Sequence, residues 1–140
     1  MKIIYLLIGC PATGKSWVCN QLTDLYNYIP HDNYLGKSEQ YHLDTIEQSA
    51  NASDKPTLID TPLFISKFKV NLEAKGFKVI PVFINEDPFV IAQRYLQREH
   101  KPIPKGHLTR QRTFIQRAKE WGAFIGTSTE VLEYLRKQVS

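Results

Sequence analysis

The sequence GCPATGKS at residues 9–16 decides the fold. It fits the pattern G-x-x-x-x-G-K-[ST] at every fixed position. It follows a nearly continuous apolar run at residues 2–8, which is typical of a strand buried on both faces of a parallel sheet. Beyond it the apolar residues take helical spacing, at Val18, Leu22 and Leu25. A strand, a glycine-containing turn and a helix in this order predict a phosphate-binding loop, and residues 9–16 are called the phosphate loop below.

The residue types of the phosphate loop suit a nucleoside triphosphate. Glycines let the backbone turn its N–H groups toward phosphate oxygens, and Lys15 reaches the outer phosphates. The Ser16 hydroxyl is the expected protein ligand of Mg²⁺. We therefore expect ATP and Mg²⁺ as cofactors. The predicted ATP-binding residues are Gly9, Ala12, Thr13, Gly14, Lys15, Ser16, Arg94 and Arg98.

Strands and helices are predicted to alternate along the rest of the chain. The other expected strands are residues 28–30, 56–59 and 77–84, with a short edge strand at 123–127. The expected helices are residues 15–26, 64–75, 88–99, 108–121 and 129–137, with a further one at 38–48. This alternation predicts an α/β fold with a mostly parallel sheet of four to five strands and helices on both faces. At 140 residues, we expect one domain, residues 1–140.

Several local features refine this prediction. Gly76 is expected just past the end of one helix, and Asp87 with Pro88 at the start of the next. The polar stretch at residues 34–53 shows no strong apolar stripe, so we expect a partly exposed flap there. Residues 100–106 are expected to form a stiff basic connector. Three aromatic residues are assigned to the core: Phe114, Trp121 and Phe124.

Composition excludes several classes of protein. The chain is 42% hydrophobic and 23% charged, close to ordinary globular composition and unlike a disordered chain. No apolar run approaches the roughly 18 residues of a membrane span. The apolar start lacks the cleavage site of a signal peptide, and two cysteines are few for a disulfide scaffold. We expect a soluble cytoplasmic protein that has no membrane partner.

Positive charge is concentrated in the last third of the sequence. Residues 1–90 carry eight Lys or Arg and ten Asp or Glu, whereas residues 91–140 carry ten and four. Residues 93–119, called the basic segment below, contain eight Lys or Arg and one acidic residue. Arg94 and Arg98 are four residues apart and therefore share a helix face. We expect the basic segment to form a lid over the phosphates, although each arginine alone also suits a solvated helix face.

The remaining motifs favour a small kinase over other nucleotide-binding proteins. The sequence lacks the N-K-x-D motif expected of a GTPase, and motor ATPases usually need more chain. Asp32 follows a predicted strand, where a carboxylate accepts the proton of an attacking hydroxyl; the alternative is a loop or N-cap aspartate. Asp60 is expected to contact the acceptor or a metal-bound water, or to form a turn with the next two residues. Tyr34 is a candidate for stacking on a base or for packing.

Four motifs together resemble the kinase domain of the bacteriophage 5′-hydroxyl polynucleotide kinases, within the group of small P-loop kinases. The first is I-G-C-P-x-x-G-K-S at residues 8–16. The second is a tyrosine and apolar strand leading to a basic residue, Asp and Tyr at residues 28–34. The third is an apolar strand ending in Asp60 and Thr61, and the fourth is R-x-x-x-R-x-x-K-x-x-P at residues 94–104.

The resemblance implies roles for individual residues. Lys15 and Ser16 are expected at the ATP phosphates and Mg²⁺, and Arg98 at the donor phosphates. Asp32 is expected to act as general base, so the implied catalytic residues are Lys15, Asp32 and Arg98. Asp60 is expected near the acceptor; Tyr34 is a further candidate for binding the substrate, on its residue type alone. One departure is Leu35, where the family has an arginine that contacts the acceptor.

The resemblance also implies a reaction and a partner. The expected activity is transfer of the γ-phosphoryl group of ATP to a hydroxyl of a nucleic acid. That hydroxyl is either the 5′ end of DNA or RNA or, as in related phage enzymes, a hydroxymethyl group on a pyrimidine of DNA. A kinase for a nucleoside, nucleotide or other metabolite is the alternative. A binding module without transfer activity is a third possibility.

Overall fold

A five-stranded parallel sheet forms the centre of the molecule. A computed structural model describes residues 2–10, 12–30, 38–61 and 66–139. The strands are β1 (Ile3–Ile8), β2 (Asn27–Ile29), β3 (Thr57–Thr61), β4 (Lys78–Ile84) and β5 (Phe124–Gly126). The helices are α1 (Lys15–Asn20), α2 (Glu39–Ala52), α3 (Ser66–Ala74), α4 (Pro88–Glu99), α5 (Lys105–Glu120) and α6 (Ser128–Lys137).

The order of the strands places the phosphate loop at a crevice. The order is β2-β3-β1-β4-β5, so β1 is the central strand, as its apolar sequence predicts. Leu7 pairs with Asp60, and Ile8 pairs with both Thr61 and Phe83. The carboxyl ends of β3 and β4 therefore flank the start of the loop. β2 and β3 lie on one side of β1, and β4 and β5 lie on the other. The carboxyl end of β1 is therefore a point where the strand order reverses, and parallel α/β sheets bind ligands at such points.

Side chains of β1 alternate between two core layers. Ile4, Leu6 and Ile8 pack with buried residues of α2, α3 and α5. Tyr5 and Leu7 pack with buried residues of α1 and α6. Since successive side chains of a strand point to opposite faces, the helices cover both faces of the sheet. The predicted fold class, an α/β parallel sheet with helices on both faces, is confirmed.

Two predictions about exposed segments need correction. The helix expected at residues 38–48 is α2, and most of its residues are at least partly exposed, but its Leu43, Ile46 and Ala50 are buried in the core. These three residues are three and four positions apart, so they lie on one helix face and bury it while the rest stays polar. The predicted connector at residues 100–106 is shorter than expected, because α5 begins at Lys105 rather than at residue 108.

Other local predictions are confirmed or need small changes. Asp87 Oδ1 accepts a hydrogen bond of 2.8 Å from the Phe89 amide and caps α4, with Pro88 in its first turn. Gly76 has a φ of 95°, the left-handed value of a residue after a helix. The first helix is shorter than predicted and ends at Asn20.

The C-terminal part of the fold also follows the predictions closely. β5 is the expected edge strand. The three aromatic residues assigned to the core are partly buried and pack against it; they are Phe114, Trp121 and Phe124. Among the described helices, none is both long and apolar enough to cross a membrane.

Candidate functional site

The phosphate loop holds its shape through its own hydrogen bonds. The Thr13 hydroxyl donates to the Cys10 carbonyl at 2.7 Å, and Lys15 Nζ donates to the Gly9 carbonyl at 2.6 Å. Thr13 is fully buried. A Cβ atom on Gly9 would lie 2.7 Å from Thr13 Oγ1, so only glycine fits there. Gly14 has a φ of 99°, which favours glycine as well.

Helices α4 and α6 hold the loop from one side. Arg94 Nη1 donates to the Thr13 carbonyl at 3.2 Å. A Cβ atom on Gly14 would lie 3.1 Å from Ser128 Cβ and 3.5 Å from Arg94 Nη1. The second glycine of the motif is therefore needed for its backbone angle and also for the close approach of two helices.

A cavity of about 540 Å³ opens beside the loop. This volume lies within the usual range for sites that bind small molecules and cofactors. The predicted ATP-binding residues that line it are Ala12, Gly14, Lys15, Ser16, Arg94 and Arg98. The other two, Gly9 and Thr13, shape the loop from within. The structure thus brings together residues that are about 80 positions apart in the sequence.

The two arginines of α4 share one face, as predicted, but their surroundings differ. Arg94 is anchored to the loop. Arg98 Nε donates to Glu99 Oε1 at 2.9 Å, and its guanidinium lies 5.8 Å from the centre of the Tyr95 ring. The Arg98 side chain is 54% exposed at the cavity wall. Other cations of the basic segment are exposed and do not line this cavity: Lys101, Lys105, Arg110 and Arg112.

Glu86 is a site residue that the sequence analysis missed. It lies in the turn between β4 and α4 and is 8% exposed. Glu86 Oε1 accepts hydrogen bonds of 2.7 Å from both the amide and the hydroxyl of Ser128. The same oxygen is 3.8 Å from Arg94 Nη1. Nothing in the sequence singles out Glu86, because its partners Arg94 and Ser128 belong to other elements, whereas its neighbour Asp87 is marked as a helix cap by the Pro88 that follows it.

The cavity wall includes further residues that the sequence did not single out. Trp17 is about half exposed and follows Ser16 in α1. Ser128 and Thr129 form the first turn of α6. The phosphate-loop motif ends at Ser16, so it makes no prediction about Trp17. The helical periodicity placed the start of α6 at Thr129, one residue late.

Asp60 lies on the other side of the loop, at the end of β3. The Gly9 amide donates to the carbonyl of the next residue, Thr61, at 3.4 Å, so the structure places Asp60 beside the phosphate loop. Asp60 is largely buried, and Tyr28 OH donates to its Oδ2 at 3.1 Å. Burial raises the pKa of Tyr28, as do the neighbouring Cys19 and Asp60. Tyr28 thus remains a hydrogen-bond donor to this carboxylate.

The two cysteines next to the loop are buried thiols. Burial is the main cause that raises the pKa of Cys10, and nearby Arg110 and Lys15 lower it in part. Burial also raises the pKa of Cys19 to about 12, and Asp60 adds to the shift. A thiol with a raised pKa is a poor nucleophile at neutral pH. Cys10 and Cys19 therefore serve as small buried residues of the core and not as nucleophiles.

Two predicted acceptor residues, Asp32 and Tyr34, lie outside the described residues, as does Leu35. Asp32 follows the last residue of β2 by three positions. The strand that precedes them, β2, pairs with β3, which contains Asp60.

The residues present at the loop fit a magnesium ion that is bound together with phosphates. Ser16 is exposed and lines the same cavity as Lys15. The described part of the chain holds no cluster of three or more His, Cys, Asp or Glu side chains. Mg²⁺ commonly takes only one or two protein ligands and completes its shell with substrate phosphates and water. A single hydroxyl at the phosphate loop is sufficient for that arrangement.

Several solved structures share this architecture. A gluconokinase from Sinorhizobium meliloti 1021 is 18% identical, with a TM-score of 0.64 over 96% of this chain and 92% of that one. A tunicamycin resistance protein from Deinococcus radiodurans is 15% identical, with a TM-score of 0.73 over 100% and 96%. A de novo designed P-loop protein is 12% identical, with a TM-score of 0.51 over 99% and 94%. The chain has the fold of the P-loop kinases.

The similarity to these structures shows the fold but does not identify a phosphoryl acceptor. No model of a protein family matches the chain, and no curated protein matches it. The identity to these structures is 12 to 18%. At this level the shared backbone arrangement does not identify the acceptor, because the side chains that contact an acceptor differ between proteins of the same fold.

Proposed function

We propose that this chain is a kinase that transfers the γ-phosphoryl group of ATP to a hydroxyl group in the presence of Mg²⁺. The observation that carries the proposal is the single cavity lined by Lys15 and Ser16 of the phosphate loop and by Arg94 and Arg98 of α4. Phosphoryl transfer requires positive charge and N–H donors around the transferred group, and little covalent chemistry by the protein. This cavity supplies both.

The residues on the ATP side of the site have separate roles. The main-chain N–H groups of the phosphate loop and the Lys15 ammonium bind the phosphates. Ser16 would hold Mg²⁺, and the ion would supply positive charge at the phosphate oxygens. Arg98, which is exposed at the cavity wall, is the cation that contacts the transferred group as charge develops on it. Arg94, which is bonded to the loop, keeps the site in shape.

The acceptor side is proposed to lie at the ends of β2 and β3. Asp32 takes the proton from the attacking hydroxyl as the γ-phosphoryl group is transferred. Asp60 accepts a hydrogen bond from the acceptor, and the hydrogen bond that Tyr28 donates to its Oδ2 helps to hold the carboxylate in place. Tyr34 packs against the acceptor. The two strands adjoin each other and β3 adjoins β1, which supports an acceptor placed opposite α4 and α6.

We propose a hydroxyl of a nucleic acid as the acceptor, either a 5′ end or a hydroxymethylated pyrimidine. The exposed cations of the basic segment support this proposal; they include Lys101, Lys105, Arg110 and Arg112. They lie outside the donor cavity and are thus available to a second anionic ligand. Contacts of Lys and Arg with phosphates provide much of the affinity for a nucleic acid.

A second candidate is a kinase for a small hydroxylated metabolite. The observation that favours it is the similarity of the fold to a gluconokinase over nearly the whole of both chains. In this case the basic segment serves only the donor nucleotide. The two candidates differ in their salt dependence, because phosphate contacts with a nucleic acid release counterions and weaken steeply as salt rises.

The test uses γ-labelled ATP with a panel of acceptors. The panel contains 5′-hydroxyl oligonucleotides, duplexes with hydroxymethylated pyrimidines, nucleosides and sugar acids. We expect label on a nucleic acid, with a rate that falls steeply with ionic strength. Label only on a small molecule, with little salt dependence, would favour the second candidate. ATP binding without any labelled product would instead indicate a binding module.

Asp32→Asn tests the general base directly. We expect it to lower the rate of transfer by about 10² or more, since general base catalysis contributes that much, while Mg-ATP affinity stays near that of the unmodified protein. The matched control is Asp54→Asn, which neutralises an exposed aspartate in a turn remote from the phosphate loop. An undiminished rate in Asp32→Asn contradicts the assignment of the base.

A further inference from the structure

Glu86 carries a negative charge in a place where burial makes it costly. The residue is 8% exposed, and an ionised carboxylate with so little water needs hydrogen bonds and an opposite charge. Its Oε1 has both: two hydrogen bonds of 2.7 Å from Ser128 and the Arg94 guanidinium at 3.8 Å. The carboxylate therefore joins the turn after β4 to both α4 and the start of α6.

The partners of Glu86 are the groups that hold the phosphate loop. Arg94 Nη1, which faces the carboxylate, also donates to the Thr13 carbonyl at 3.2 Å. Ser128 packs on Gly14, where an added Cβ would come within 3.1 Å of Ser128 Cβ. Glu86 is thus one residue removed from the loop on two separate routes, through Arg94 and through Ser128.

We propose that Glu86 is a positioning residue that holds Arg94 and the first turn of α6 against the phosphate loop, so that the nucleotide site is formed before the nucleotide binds. The inference rests on the proposed function in that it takes this cavity to be the nucleotide site. Glu86 does not line the cavity, so its effect reaches the nucleotide through its partners. Fixing a binding group in its bound position improves affinity because less freedom is lost on binding.

Arg94 shows why the charge of Glu86 matters. The Arg94 side chain is 41% exposed, and a long exposed side chain has many conformations available. The hydrogen bond to the Thr13 carbonyl alone holds the Arg94 side chain weakly. The Glu86 carboxylate attracts the same guanidinium and so favours the conformation that reaches the loop. An amide in place of the carboxylate still accepts a hydrogen bond from Ser128, but it no longer attracts the guanidinium. Glu86→Gln therefore separates the charge from the hydrogen bonding.

The experiment is a double-mutant cycle on Mg-ATP affinity measured by titration calorimetry. The proteins are the unmodified chain, Glu86→Gln, Arg94→Ala and the double variant. We expect Glu86→Gln to weaken Mg-ATP binding about 10-fold, in the range of coupling between residues in contact. In the Arg94→Ala background the same substitution is expected to change the affinity less than about 2-fold, since its partner is already absent.

The matched control is Asp87→Asn. It removes a negative charge from the neighbouring residue, and Asn keeps the capability of capping α4. We expect its Mg-ATP affinity to be within about 2-fold of that of the unmodified chain, because Asp87 accepts from the Phe89 amide and contacts neither Arg94 nor the loop. An equal loss in Asp87→Asn and Glu86→Gln contradicts the proposal, because it would indicate an effect of net charge.

Two further outcomes also overturn it. One is unchanged affinity in Glu86→Gln; the other is the same loss with and without Arg94, which would indicate a general effect on folding. If Glu86→Gln melts below the assay temperature, Glu86→Asp takes its place, since it keeps the charge but withdraws it from both Arg94 and Ser128, and its effect on affinity is expected to be smaller, though not abolished, in the Arg94→Ala background. No binding to the unmodified chain would overturn the proposed function itself, whereas normal binding there with an uncoupled Glu86 overturns only this inference.

Discussion

Arg94 and Arg98 lie on one face of α4 but make different contacts. Arg94 donates to the main chain of the phosphate loop, whereas the contacts of Arg98 are with Glu99 and Tyr95 of its own helix. The Arg98–Glu99 pair is exposed, and such surface pairs contribute little to holding a side chain in place. Arg98 is therefore the arginine that is able to move onto a transferred phosphate.

Arg98→Ala is expected to slow catalysis much more than it weakens binding. An arginine that stabilises charge in the transition state contributes about 10³ or more to the rate, so kcat should fall by about that factor with a smaller change in KM. Steady-state kinetics with the preferred acceptor measure this. Arg136→Ala, which removes an exposed cation in the last turn of α6 outside both the basic segment and the cavity, is the control. Similar kcat values in the two variants would contradict the role of Arg98.

At the scale of residues, the sequence predicted what a local motif encodes. Lys15, Ser16 and the glycines of the phosphate loop follow from eight consecutive positions. Glu86 and Ser128 do not, because they are 42 positions apart, Glu86 precedes α4 and Ser128 begins α6 without a motif of its own. Their importance arises only when β4 and β5 become neighbours and bring the turn after one strand against the helix after the other.

The helices show where periodicity is a sufficient guide and where it fails. α2 buries only three residues out of 14, so its stripe looks too weak to define a packed helix. It is nevertheless packed, because that narrow stripe meets α3 and β2. The start of α5 was misplaced because Pro104 precedes it, and proline is compatible with a helix start as well as with a connector.

α4 depends on its cap, and the cap is testable. Asp87→Ala removes the acceptor of the 2.8 Å hydrogen bond from the Phe89 amide. We expect the free energy of unfolding to fall by about 1 kcal/mol, the usual contribution of an N-cap. Urea denaturation measures the change. Asp87→Asn, which keeps a capping side chain, is expected to lose much less, and equal losses in both variants would show that the cap is unimportant.

At the scale of the whole molecule, the strand order separates two halves of the site. β4 and β5 lead into α4 and α6, which flank the donor cavity, while β2 leads toward Asp32 and β3 ends with Asp60 and Thr61. The alternation of strands and helices predicted a parallel sheet with five strands at most. It did not fix which strands adjoin, because that depends on the direction of each crossover. The position of Asp60 beside the loop therefore required the structure.

The buried phenols and thiols predict how stability responds to alkaline pH. Burial raises the pKa of Cys19 from 9.0 to about 12 and raises those of Tyr5, Tyr26 and Tyr28 above 10.0. These groups stay protonated in the folded chain after they ionise in the unfolded one. Their contribution is complete below pH 9 and is lost as pH rises from 9 toward 12. We expect the melting temperature to fall progressively over that window, and a flat profile would contradict these pKa shifts.

The central claim is that residues 9–16 bind the phosphates of a nucleoside triphosphate. Titration calorimetry of Mg-ATP into the unmodified chain and into Lys15→Ala tests it most directly, because it needs no knowledge of the acceptor. The account predicts saturable heat with one nucleotide per chain, and an affinity at least about 10-fold lower in Lys15→Ala, since a charged contact to phosphate is lost. No heat from the unmodified chain, or equal affinity in the two proteins, would contradict it.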